Sequence, residues 1–71
     1  MRLVDYMVVY GVTSRHLTEC AGVFGKLKDA RKVYDSLELD YNFKAKRLIR
    51  LSYPNEWAAA NDVRVLDEVI Y

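Results

Sequence analysis

The sequence predicts an α+β fold in the order ββαββ, a small antiparallel sheet with one helix packed on one face. Three observations point to it. Residues 3–13 alternate with the two-residue period of a strand, residues 26–38 carry the period of an amphipathic helix, and residues 43–53 return to the strand period. A sheet with an apolar face must bury it against another layer, and a single helix can cover only one side.

The first strand places Val4, Tyr6, Val8, Tyr10 and Val12 on one face. Met7 and Val9 make its other face apolar as well, which predicts a strand in the interior of the sheet. Gly11 marks a bulge or a close backbone approach. Thr13 to Glu19 is polar and reads as a turn, and Cys20 to Phe24 is a short apolar run that returns as the second strand. The competing arrangement, βαβ(α), runs a longer first helix from Ser14, with Leu17, Ala21, Phe24 and Leu27 on one stripe. Gly22 and Gly25 oppose it, because a glycine inside a helix costs about 1 kcal/mol.

The helix over 26–38 turns Leu27, Ala30, Val33, Tyr34 and Leu37 to the sheet and Lys28, Arg31, Lys32 and Asp35 to solvent. Leu39-Asp40-Tyr41-Asn42 closes it. In the strand that follows, Ala45, Ile49, Leu51 and Tyr53 share one face with Arg47, while Lys44, Lys46, Leu48, Arg50 and Ser52 share the other. Pro54-Asn55 breaks the chain, and Glu56 to Ala60 has the propensity for a turn or two of helix. The β-branched residues of 63–71 predict a last strand. Trp57, Ala60, Val63, Leu66 and Ile70 also keep rough helical spacing, so a helix from Pro54 onward is its competitor.

A chain of 71 residues reads as one domain, 1–71. At ordinary per-residue values such a domain is stable by roughly 4–10 kcal/mol. That leaves little room for a deep, strained active site. The hydrophobic fraction of 52% belongs to a folding chain, not a disordered one. One cysteine, Cys20, excludes an internal disulfide and suggests a reducing compartment. No run resembles a signal peptide or a membrane span, so a cytoplasmic location is expected. The formal net charge of +1 conceals a basic middle between Lys26 and Arg50 and acidic flanks.

Nothing in the chain assembles a catalytic constellation. His16 is the only histidine and falls in a polar turn. Asp67 and Glu68 are adjacent, so on a strand they point to opposite faces. His16 and Cys20 are four apart, but a structural zinc site needs four ligands, and Cys20 is expected as a small buried hydrophobe. Gly22-Val23-Phe24-Gly25 before a helix matches neither phosphate-binding glycine pattern. No catalytic residue, metal or cofactor is therefore expected.

What remains is binding. Lys44, Lys46 and Arg50 on one strand face and Lys28, Arg31 and Lys32 on the helix are expected to be exposed and to meet an acidic partner surface. Trp57 is a candidate anchor, or else a lid on the end of the core. A protein partner fits an uncovered, tyrosine-rich sheet face best. Single-stranded nucleic acid on a basic and aromatic face is the second reading, and self-association through the sheet, for instance as a homodimer, is the third.

The run Phe24-Gly25-Lys26-Leu27-Lys28-Asp29-Ala30-Arg31-Lys32-Val33-Tyr34-Asp35-Ser36-Leu37, followed by Ala45-Lys46-Arg47-Leu48-Ile49, resembles small accessory proteins of bacteriophages and other mobile elements. In those a hairpin leads into a helix and then a basic strand. The resemblance spans residues 24–49. It implies an inhibitor or modulator that contacts a host protein, such as one of a defence system, in the host cytoplasm.

Overall fold

A computed structural model describes residues 3–63 and 66–71 of the chain. The elements are β1 (Val4–Gly11), β2 (Glu19–Phe24), α1 (Leu27–Ser36), β3 (Ala45–Ser52), α2 (Glu56–Ala60) and β4 (Leu66–Val69). The four strands form one antiparallel sheet in the order β2-β1-β3-β4. β1 is interior, as its two apolar faces require. The expected order ββαββ gains a short second helix between its last two strands. The longer helix from Ser14 does not form, because Glu19–Phe24 pairs with β1 instead. The strand expected over 63–71 appears as β4; residues 64 and 65 lie outside the described residues.

α1 crosses one face of the sheet. Beneath it lie Val8 and Leu48, direct cross-strand partners and both fully buried. The facing helix residue is Ala30, also fully buried, whose small side chain lets the helix approach the sheet. Tyr6, Phe24, Val33, Tyr34, Leu37 and Ile70 pack around this centre. Each fully buried aliphatic side chain of this kind contributes about 1.5–3 kcal/mol of hydrophobic stabilisation.

Two glycines are required where they stand. β1 and β2 slip register between Val8 and Val9, so that Val8 faces Gly22 while Val9 faces Cys20. Ala21 is the extra residue of a bulge. Gly22 takes φ +156°, and a Cβ there would lie 2.7 Å from Cζ of Phe24, whose ring covers the glycine. At Gly11 a Cβ would run into the His16 carbonyl, because the 13–17 turn folds back on the strand. That is the close backbone approach expected at Gly11.

The helix ends are held differently. Asp29 sits in the first turn of α1, where a negative charge complements the helix dipole. The last turn has no basic residue of its own. Lys46 of β3 supplies one: its Nζ donates to the carbonyls of Tyr34 at 2.7 Å and Leu37 at 3.0 Å. α2 begins at Asn55, whose Oδ1 accepts from the Ala58 amide at 2.9 Å.

Candidate interaction surface

The side of the sheet away from α1 follows from strand alternation. Val8, Leu48, Tyr6 and Phe24 point to the helix, so their neighbours Met7, Val9, Ile49 and Val23 point away from it. Register aligns these residues. Val23 faces Met7, Met7 faces Ile49, and Ile49 faces Val69. One apolar row therefore runs across all four strands. Its outer members are exposed, Val23 by 54% and Val69 by 60%, while Met7 and Ile49 are half-buried. Cys20, Val9 and Arg47 form the next row on one side, and Asp5, Leu51 and Asp67 the row on the other. Val9 and Leu51 are buried, so the open part of the face is the central row with its polar margins.

This changes which surface is free. Tyr6 stands opposite Arg50 and Tyr10 opposite Lys46, all on the α1 side of the sheet. The uncovered face is consequently aliphatic and not tyrosine-rich. The basic strand face expected to be open is the one that carries the buried Leu48. Lys46 is the clearest correction. It is half-buried, its amine is held by the helix-end carbonyls, and it lies 4.4 Å from the centre of the Tyr34 ring. Its long stem passes over apolar surface and its charge meets a helix C-terminus, which is the more favourable place for it.

Arg31 is likewise engaged and half-buried. Its Nε lies 3.0 Å from both carboxylate oxygens of Asp35, and its guanidinium sits 3.9 Å above the Tyr71 ring. The hydrogen bond to Asp35 leads the causes that raise its pKa above the ordinary arginine value. Lys28, Lys32, Lys44 and Arg50 are exposed as expected. Arg50 approaches Glu68 only at 4.0 Å, a pair worth little in water. These cations do not converge on one patch: Lys28 and Lys32 belong to α1, while Arg50 and Lys44 lie six residues apart on β3 and its approach.

Trp57 is exposed by 67%, so it is not a lid on the core; the buried residue of α2 is Ala58. Cys20 is exposed on the edge strand β2 and is not the buried hydrophobe expected. His16 occupies the turn, its Nδ1 3.0 Å from the Thr13 hydroxyl. Among the described residues no three His, Cys, Asp or Glu side chains gather in a metal-binding group. No helix among them is long and apolar enough to cross a membrane.

The sequence alone did not reveal Val23 and Val69 as surface residues, or Tyr41, which is 90% exposed beside Lys44. The apolar second face of β1, through Met7 and Val9, is the sequence signal that the far side of the sheet is apolar. Comparison with protein-family models, curated proteins and solved structures finds no match to this chain.

Proposed function

We propose that this chain is a non-catalytic binding domain whose partner is a protein, met through the sheet face opposite α1. The observation that carries the reading is the registered row Val23–Met7–Ile49–Val69, apolar, solvent-facing at both ends and bordered by Arg47. Aliphatic surface with a polar margin is the usual anatomy of the centre of a protein interface. A row carried on paired β strands also presents a rigid surface, so little ordering entropy is lost on docking.

The resemblance of residues 24–49 to phage accessory proteins adds a finer proposal: the partner is a host protein that this chain inhibits or modulates in the cytoplasm. The exposed cations Lys28, Lys32 and Arg50 lie on the α1 side, away from this interface, so they act on an acidic partner only through the long-range field, which speeds encounter more than it adds affinity. Single strands are the less favoured ligand. The tyrosines and basic side chains that would make a stacking platform, Tyr6, Tyr10, Lys46 and Arg50, share the face on which α1 lies.

Affinity capture from host lysate, with nuclease and without, tests the reading. A single protein retained in both samples by the parent chain, and lost by a folded Val23→Asp/Val69→Asp variant, is the expected result. Material that disappears with nuclease supports nucleic acid instead. Recovery of the chain's own copies alone supports self-association.

A further inference from the structure

At the end of the sheet where β1 leaves and β3 enters, a groove of about 450 Å³ opens between the 12–14 turn, Tyr34 of α1 and residues 44–47. Its cationic lining is Lys44, Lys46 and Arg47, joined by Thr13 and Ser14, and no carboxylate lines it. Arg31 and Arg50 each have an acidic neighbour, Asp35 and Glu68. Among the described residues Lys44, Lys46 and Arg47 have none. In a chain of net charge +1, three unpaired cations around one groove form a local excess that the whole-molecule charge does not explain.

We infer that this groove is a binding site for a phosphate-type dianion, the phosphate monoester of a small molecule or inorganic phosphate itself. Two of the three cations are already oriented. Lys46 spends two of its three N–H donors on the carbonyls of Tyr34 and Leu37, which fixes the ammonium at the rim and leaves one donor. Arg47 donates from one terminal nitrogen to the Lys46 carbonyl at 2.8 Å, leaving four of its five donors. A guanidinium held this way presents the planar fork that matches two oxygens of one phosphate. Lys44 is exposed and lines the groove, and Ser14 adds a hydroxyl donor to the lining. Tyr41 does not line the groove, but its exposed ring, centred 5.9 Å from the Lys44 amine, would be within reach of the organic part of an ester bound by that lysine. Arg47 also borders the proposed protein interface, so the Lys44 variant, which leaves that face untouched, separates failure of this site from failure of that interface.

The test is a titration of the isotope-labelled chain with inorganic phosphate, followed by backbone amide NMR against sodium chloride at equal ionic strength. Shifts confined to residues 12–14 and 44–47, saturating at millimolar or lower phosphate, are expected. Lys44→Gln and Arg47→Gln should each weaken binding severalfold, and together at least tenfold, with the amide spectrum otherwise retained. Should the Arg47 variant unfold, the exposed Lys44 variant alone must still show the loss. Parallel titrations with a nucleoside monophosphate and with phosphoserine identify the source: tighter binding of either ester, with added shifts at Tyr41, supports an organic phosphate. Shifts that follow chloride equally, or that appear to the same degree at Lys28 and Lys32, overturn the site.

Discussion

Lys46 of β3 closes the C-terminal end of α1, its amine 2.7 Å from the Tyr34 carbonyl and 3.0 Å from that of Leu37. The contact ties strand to helix and sets a positive charge against the negative end of the helix dipole. Lys46→Met keeps the stem and removes the donor. It should cost about 1–2 kcal/mol, the usual range for a charge-assisted bond to a helix end that water partly reaches. Urea unfolding checks this: the midpoint should fall with an unchanged slope. No loss of stability would mean that the amine is solvated and the cap unimportant.

The two sides of the sheet should respond differently to truncation. Leu48→Ala opens a cavity beneath Ala30 and should cost about 2–5 kcal/mol, a large part of the stability of so small a domain. Val69→Ala removes a side chain that is 60% exposed and should stay within about 0.5 kcal/mol. Thermal and denaturant unfolding of both variants distinguishes this arrangement from one in which the core lies on the Ile49 side.

Gly22→Ala should destabilise by about 1–3 kcal/mol, since a Cβ is disfavoured at φ +156° and would press on the Phe24 ring. If the ring is the main obstacle, the same substitution made in a Phe24→Leu background should cost less, which a double-mutant cycle measures directly.

The titration of Arg31 is displaced upward, chiefly by its hydrogen bond to Asp35. A raised pKa means that the stabilisation is complete below the unfolded value and is lost only as pH climbs through the folded one. For an arginine both lie far above neutrality. Arg31→Gln should therefore lower the unfolding midpoint equally at pH 6 and pH 9. A loss that differs between the two would assign the effect to another group.

How far the fold could be read in advance depended on which residues carried periodicity. Alternation through Met7, Val8 and Val9 was enough to make β1 interior, and the spacing of Ala30, Val33, Tyr34 and Leu37 was enough to orient α1. The element edges were less legible. The helix runs Leu27–Ser36 within an expected 26–38, because the chain beyond leaves the helical region at Leu37. Periodicity shows that Lys46 and Leu48 share a face but not whether a helix lies on it. A lysine in a strand looks solvent-bound until the position of the helix end is known. Trp57 misleads in the opposite way, since a large aromatic ring is no guarantee of burial and here the adjacent Ala58 is the buried residue. The Val23–Met7–Ile49–Val69 row depends on pairing between four strands, and the bulge at Ala21 shifts that pairing by one residue. No reading of separate strands contains that information.

The central claim is that the sheet face opposite α1 is the interface. The most direct measurement is the affinity of the captured partner for three folded chains: the parent, Val23→Asp/Val69→Asp, and Lys28→Glu/Lys32→Glu on the far side. Placing two carboxylates in an apolar interface should weaken binding at least a hundredfold, about 2.7 kcal/mol. The helix pair should change it by less than tenfold, mainly through the association rate. Unchanged affinity of the valine variant, together with a large loss for the lysine variant, would contradict the claim and move the interface to α1.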